Sequence, residues 1–301
     1  MAQTFLVTNI QIGNREDLAD FIQQIAYEET PFFSKCGRTQ AKAILHEWMT
    51  ESTRAGAANA RAEGYTPTFD AADQTPRVRR TNPVQLLAVP FSVSGTQDAV
   101  DKAGIGVSSE YDHQKDLKFK ELAKDNDWSL LQETRATRDA DAGTAGEMDG
   151  ALLWPAGTLN SVQTGSPLLT EDLYNSLAQV IYETSGKKAT DVFCGGYQKR
   201  AITGWSTPIR RMADEKTKTN SVMQYDGDWG SQSINHDINM PAAQLLIIEM
   251  SIAKVAFLRP VEHYELGRTR DIRSGYVLSE LTLEIKNPNA IARFTGLATS
   301  S

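Results

Sequence analysis

Val107–Arg135, VSSEYDHQKDLKFKELAKDNDWSLLQETR, decides how the rest of the chain must be arranged. No proline or glycine interrupts it. Ser109 opens it and Asp112 follows three positions on. That supplies a side-chain oxygen for an orphan N–H and an acid near the positive end of the helix dipole. The pattern predicts one helix over 109–135, and the whole run would be roughly 40 Å long at the α-helical rise. Such a helix spans a small domain. Its apolar residues, Tyr111, Leu117, Phe119, Leu122, Ala123, Trp128, Leu130 and Leu131, are scattered among many charges. The stripe is too sparse for a fully buried core helix. The expected element is a strut, one face on a sheet and the other on water or on a neighbouring subunit. An ordinary long surface helix has the same periodicity.

The chain has 301 residues, enough for one or two domains and a sizeable core. Hydrophobic residues make up 40% and charged residues 23%, which is the composition of a globular protein. The net charge of −7 argues against a general nucleic-acid binder, whose basic residues would have to gather on one face. Cys36 and Cys194 lie far apart and make no disulfide framework, so a reducing compartment is expected. No apolar run reaches membrane-spanning length, and Gln3, Asn9 and Gln11 interrupt the start, so no secretory signal is expected either.

Outward from the strut, the order of elements becomes clear. Residues 1–13 carry Phe5, Leu6, Val7, Ile10 and Ile12 without a helix start and read as an extended arm. Asn14 caps a short predicted helix reaching Tyr27, with Leu18, Phe21, Ile22 and Ile25 on one face. Ala43–Thr50 predicts a strand, and strand character returns from Arg77 through Val93. Between them, residues 51–76 are small and polar, with Gly56, Gly64, Pro67 and Pro76. A structureless loop this long is uncommon inside a compact domain. It is either disordered or made to lie on something outside its own fold.

After the strut, 136–150 and 158–167 read as loops on either side of the apolar GALLWP segment. Thr170 caps an amphipathic helix that Gly186 stops. Thr190–Cys194 predicts a short strand and Tyr197–Trp205 a helix, which together suggest an α/β layer. Val222–Tyr225 and Ser233–Ile238 flank a DGDWG turn as a hairpin candidate. Leu245–Met250 reads as a buried strand. Lys254–Leu258 and Val261–Leu266 are strand-like on either side of Pro260, and Gly275–Glu284 and Ile291–Phe294 close the chain in strands. No internal repeat is present.

The motif candidates carry little chemistry. His46-Glu47 begins like a zinc-protease helix, but Thr50 stands where the second imidazole belongs. Asp226, Asp228 and Asp237 resemble a calcium loop with its glycine misplaced, so a hairpin turn is the simpler reading. Cys194 before two glycines would need a histidine base, and His46, His113, His236 and His263 show no recognisable spacing. Arg77, Arg79 and Arg80 cluster in a predicted strand, a pattern that suits contact with phosphate or acidic neighbours, or simply an exposed edge kept soluble. No catalytic constellation, metal site or cofactor site is expected.

The order of parts, with the phrases TPFFSKCGRTQAKAILHEWMTES (30–52), VSGTQDAV (93–100), KFKELAKDNDWSLL (118–131) and LRPVEHYELG (258–267), resembles the major capsid proteins of tailed bacteriophages. The similarity covers nearly the whole chain. It implies an α+β, Hong Kong 97-type capsid fold. Residues 1–38 would be the N-terminal arm and 39–95 the extended β-hairpin loop lying across an adjacent subunit. Residues 96–154 and 251–301 would form the peripheral domain with its spine helix at 109–135, and 155–250 the axial α/β domain. Arg54, Arg61, Tyr65, Phe69, Arg77, Arg79 and Arg80 would then contact neighbouring subunits.

The implied role is a shell around the double-stranded DNA of the phage, built from hexamers and pentamers of this chain. A portal and separate scaffolding or decoration proteins are the further partners; no membrane is involved. Assembly would occur in the host bacterial cytoplasm. Relatives with a fused scaffolding domain carry a long helical extension before the arm, and none is expected here. Some relatives join loop lysines to asparagines, yet no lysine lies between Lys42 and Lys102. Two other readings remain at this point: an encapsulin-like compartment that packages enzymes, and a hydrolase or transferase without a recognisable motif.

Overall fold

The computed structural model describes residues 29–54, 56–67, 75–100, 109–139, 141, 143–155, 157–205, 224–268 and 270–300. The predicted arm helix over 14–27 and Phe69 lie outside them. In chain order the helices are α1 (Pro31–Lys35), α2 (Gly95–Ala99), α3 (Glu110–Gln132), α4 (Glu171–Ser185) and α5 (Gly196–Trp205). The strands are β1 (Gly37–Gln40), β2 (Leu45–Thr50), β3 (Val78–Pro83), β4 (Gln85–Ser94), β5 (Asn160–Val162) and β6 (Asp191–Cys194). They continue with β7 (Gln224–Gly227), β8 (Gly230–His236), β9 (Leu245–Ile248), β10 (Ala253–Leu266), β11 (Ile272–Ile285) and β12 (Ile291–Thr295). The strands form sheets in the orders β1-β10-β11-β4, β5-β12-β9-β6-β8-β7 and β2-β3.

The chain divides into two compact units. The larger holds Glu29–Ala88, Leu122–Glu262 and Leu278–Ser301. Its organising strand is β9, LLII, all four residues of which are fully buried. A strand sends successive side chains to opposite faces, and here both faces are covered. Leu245 and Ile247 pack with Tyr174, Leu177 and Ile181 of α4. Leu246 and Ile248 pack with Leu130 and Leu131 of α3, Phe32 of α1 and Leu281 and Leu283 of β11. The same alternation places Phe193 in the second cluster and Val192 and Cys194 in the first. A strand buried on both faces reads as an unbroken apolar run, which is why it is legible in the sequence.

α4 begins and ends as its sequence dictates. Thr170 Oγ1 accepts from the Leu173 N–H at 3.3 Å, and Gly186 takes φ 68 while its N–H reaches the Tyr182 carbonyl at 2.8 Å. Only glycine adopts that left-handed cap without strain.

The smaller unit holds Val89–Glu121 and His263–Val277 among the described residues. Tyr111, from the first turn of α3, is buried there. Its hydroxyl meets His263 Nε2 at 2.9 Å, and the Arg273 guanidinium lies 3.8 Å from its ring centre. Gly275 makes room for this: a Cβ there would stand 2.5 Å from the Tyr111 hydroxyl.

The structure corrects four sequence expectations. α3 stops at Gln132, three residues short of Arg135. Trp128, read as part of the apolar stripe, is 43% exposed, whereas Asn126, Asp127 and Ser129 are buried. Asn126 and Asp127 take partners distant in sequence, as when Ser279 Oγ donates to Asn126 Oδ1 at 3.0 Å and Asn239 Nδ2 to Asp127 Oδ2 at 2.8 Å. The 158–167 loop contains β5, a short polar edge strand paired in parallel with β12. Pro260 does not separate two strands, because β10 runs through it. β1 covers β10 only from Lys254 to Phe257, so at Pro260 a missing N–H donor is tolerated.

Candidate assembly surface

β2 and β3 form an antiparallel hairpin, with Leu45 opposite Pro83, Glu47 opposite Thr81, Met49 opposite Arg79 and Thr50 opposite Val78. Alternation gives it two unlike faces. On the inner face, Trp48 donates its indole N–H to the Ile285 carbonyl and packs at a tilt against Trp154, ring centres 5.4 Å apart. His46 on the same face meets Glu284 Oε2 at 3.1 Å. On the outer face, Leu45 is 39% and Met49 68% exposed, and Glu47 receives an ion pair from Arg79. Beyond the paired strands, Arg77 Nε reaches Glu51 Oε2 at 3.2 Å with both side chains exposed. Such pairs contribute about 0–1 kcal/mol each. They shape the hairpin's charge more than they stabilise it.

Past Thr50 the chain has no helix or strand until Val78 among the described residues, and every side chain there is exposed. A turn at Glu63-Gly64, with Gly64 at φ 80, brings the Tyr65 N–H to the Ala62 carbonyl at 3.2 Å. It sets the Arg61 guanidinium 4.7 Å from the Tyr65 ring centre, a cation–π contact on an exposed segment. Of the residues expected to contact neighbours, the structure therefore pairs Arg61 with Tyr65, Arg79 with Glu47 and Arg77 with Glu51. Arg54 is exposed on the same segment. Arg80 faces inward with Trp48 by register, and its Nε is buried without a hydrogen-bond partner. Sequence reasoning missed the acids. The signal was there: Glu47 and Glu51 repeat with the same parity as Arg77 and Arg79.

The chemical candidates land elsewhere. His46 and Glu47 point to opposite faces of a strand, so they cannot ligate one metal. Asp226 and Asp228 sit at the β7–β8 turn, while Asp237 is fully buried. Among the described residues no group of His, Cys, Asp and Glu could hold a metal ion. Cys194 is fully buried, with burial pushing its thiol up to about 12, and its Sγ lies 3.7 Å from the Asn235 carbonyl. His236 stands beside it in register and is exposed, whereas the thiol itself is fully buried. A cavity of about 530 Å³ is lined by Leu168, Leu169, Tyr197, Arg200 and Trp205. Among the described residues Arg200 is the one charge in that lining, and they offer no acid–base couple. Among the described residues no helix is long and apolar enough to cross a membrane.

Comparison with known proteins gives a consistent answer. The major capsid protein of Escherichia phage Phieco32 is 27% identical over 129 residues, covering 42% of this chain and 36% of that protein. The match thus spans about a third of that relative's length. The capsid asymmetric unit of cyanophage A-1(L) superposes with TM-score 0.72 at 12% identity, covering 98% of this chain and 100% of that one. The holo-SrpI encapsulin complex of Synechococcus elongatus PCC 7942 superposes with TM-score 0.62 at 10% identity, covering 100% and 98%. These likenesses establish the Hong Kong 97-type capsid fold. The sequence profile of the SU10 major capsid protein family matches residues 4–298, nearly the whole chain, and the chain belongs to that family: a structural capsid protein and not an enzyme.

Proposed function

We propose that this chain assembles as hexamers and pentamers into the icosahedral head shell of a tailed bacteriophage, enclosing its double-stranded DNA. In this reading residues 1–38 act as the arm and 39–95 as the loop that overlaps the adjacent subunit. Residues 96–154 and 251–301 form the peripheral domain, and 155–250 the axial domain that meets its copies at the capsomer centre. Arg54, Arg61, Tyr65, Phe69, Arg77, Arg79 and Arg80 line the overlap. A portal and separate scaffolding or decoration proteins are its partners, and the host cytoplasm is where it assembles.

The observation that carries this reading is the β2–β3 hairpin. Its inner face is clamped by Trp48, while Met49 on its outer face and the described residues of the polar chain beyond it are exposed. Chain that builds no core is accounted for by contacts on a neighbour, and a closed shell needs complementary patches on every subunit. Negative-stain microscopy of the purified recombinant protein tests it. Hollow shells, or rings of five or six subunits, are expected; sedimentation as monomers at every salt concentration, together with no particles on the grid, would overturn it.

A second reading, an encapsulin-like compartment, is favoured by the superposition on the encapsulin complex. Shells purified from the native source decide between the two: nuclease-protected DNA supports the phage head, and a protein cargo supports the compartment.

A further inference from the structure

Asp127 in α3 and Asp237, just after β8, are both fully buried and are bridged by Asn239, which donates to each of them. Asp127 is well supplied with donors. Its Oδ1 accepts the Phe33 main-chain N–H at 2.8 Å and its Oδ2 accepts Asn239 Nδ2 at 2.8 Å. Asp237 Oδ1 accepts the Asn239 main-chain N–H at 2.9 Å. Its other oxygen, Oδ2, is buried and makes no hydrogen bond of normal geometry, and the one further donor near the carboxyl, the Phe32 main-chain N–H, is shared with Asp127. A buried carboxylate oxygen without a donor is among the costliest groups a fold can hold. A carboxylic acid at the same place needs only an acceptor, and Asp127 is one.

We propose that Asp127 and Asp237 share a single proton, carried by Asp237 and donated to Asp127, and that this acid–carboxylate pair is a pH-operated latch joining α1, α3 and the β8–β9 connection. Three parts of the larger unit meet at it: Phe33 from α1, Asp127 from α3, and Asp237 with Asn239 from the connection. Gln132 of α3 ties the connection a second time by donating to the Asn239 carbonyl.

The charged and titratable groups around the pair fit a shared proton. From α1, Lys35 turns to Asp191, and the Cys36 thiol is held neutral first by burial and then by the negative field of Asp127. Along α3 the charged neighbours are Lys124 and the exposed Asp125, and Asn126 engages Ser279 instead. From β8, the His236 ring lies against Gly196. Burial raises the titration of both carboxyls, and the charge of Asp127 pushes Asp237 further, to about 7.

The sign follows from linkage. Below about pH 4, the ordinary aspartate value, folded and unfolded chains both hold the Asp237 proton, so keeping it costs the fold nothing. As pH rises toward about 7 the unfolded chain has lost that proton while the fold still pays to keep it, so stability falls. Above that the proton leaves and two buried charges face each other. The latch concerns the subunit itself and stands whether or not the shell reading does.

Asp237→Asn is the informative variant. The asparagine carbonyl can accept the Asn239 N–H, and its amide can donate to Asp127 at every pH. The apparent melting temperature of the full-length protein is expected to fall by several degrees between about pH 5 and about pH 8. D237N should lose that part of the slope. Infrared difference spectra should show a protonated-carboxyl stretch in the wild type near neutral pH that D237N lacks. A D237N profile parallel to the wild type would overturn the latch. If D237N does not fold, the wild-type spectrum decides alone: a protonated-carboxyl band that vanishes on alkaline titration supports the shared proton, and no such band near neutrality overturns it.

Discussion

Trp48 donates its indole N–H to the main-chain carbonyl oxygen of Ile285 at 3.0 Å. One residue before that carbonyl, Glu284 meets His46, and the Trp48 ring rests on Trp154. The hairpin is therefore fastened at its base by a half-buried aromatic while its outer face stays bare. Replacing Trp48 by Phe removes the hydrogen bond and keeps most of the ring, a loss of about 1 kcal/mol. Replacing it by Ala also removes the ring contact with Trp154, and about 2–4 kcal/mol is expected for a ring that is only partly buried. Denaturant midpoints of the unassembled subunit measure both. A W48A subunit as stable as the wild type would show that the hairpin is not anchored this way.

Deleting Arg54–Asp73 is expected to leave a cooperatively folding subunit that assembles poorly. The described side chains of this stretch are all exposed, so little apolar area is lost with them. Thr50 and Val78 remain paired, and the residues left between them suffice to close the turn, at a loop-closure cost that changes slowly with length. Loss of cooperative unfolding in the deletion would assign these residues to the core.

The Glu47–Arg79 pair separates hairpin integrity from intersubunit charge. Either single reversal, Glu47→Arg or Arg79→Glu, should alter subunit stability by less than about 1 kcal/mol, because the pair is exposed. The double reversal restores the pair but presents opposite charges outward at each position. Shell yield should stay low in the double reversal if neighbours read that charge pattern. Full recovery of shells would show that only the pair within the hairpin matters.

Much of this fold is legible in the sequence, and the rest fails for identifiable reasons. α3 and α4 announce themselves by uninterrupted runs and by their Ser109 and Thr170 caps. β9 is visible because both of its faces are apolar. β5 is not, since a short polar edge strand is stabilised by its partner β12 and has no pattern of its own. Trp128 misled because hydrophobicity was read as burial, whereas the buried side of that turn is polar and paired with Ser279 and Asn239. The arginines of the hairpin were recognisable as a cluster, but the outward turn of Arg79 and the inward turn of Arg80 with Trp48 were not. The paired acids were overlooked because Glu47 sits on the partner strand and Glu51 just past its end, where only the strand register brings them near. The Asp127–Asp237 pair has no sequence signal at all, being assembled by tertiary contact alone.

Both cysteines are expected to be silent toward thiol reagents in the folded protein. Cys36 and Cys194 are buried and unbridged. Burial is the main cause that raises each thiol, in Cys194 to about 12, and the thiolate is the reactive form. Raising the pH from about 7 to about 9 increases the thiolate fraction of an ordinary exposed cysteine but leaves these two almost wholly protonated. A disulfide-exchange reagent should therefore react at both pH values only after denaturant is added, with both thiols released together. Rapid labelling of either cysteine in native protein would contradict the packing around it.

The assembled shell is expected to be held by non-covalent contacts. An isopeptide cross-link from the loop needs a lysine there, since only a deprotonated amine attacks a side-chain amide. Lys42 stands at the foot of the hairpin before β2 begins, and the next lysine is Lys102, so β2, β3 and the chain between them carry no such nucleophile. Arginine does not substitute, because its guanidinium stays protonated. Disulfides between subunits are excluded at Cys36 and Cys194 by their burial, as a bridge requires the two α-carbons to approach within about 7 Å. What remains is overlap of arm and loop, strand pairing, and charge pairs of the Arg77 and Arg79 kind, each individually weak and multiplied by the symmetry of the shell. Particles boiled in detergent should run on a denaturing gel as one band near 33.2 kDa. A ladder of dimers to hexamers that survives detergent and reductant would reveal a cross-link from a residue outside the hairpin, and mass spectrometry of the ladder would locate it.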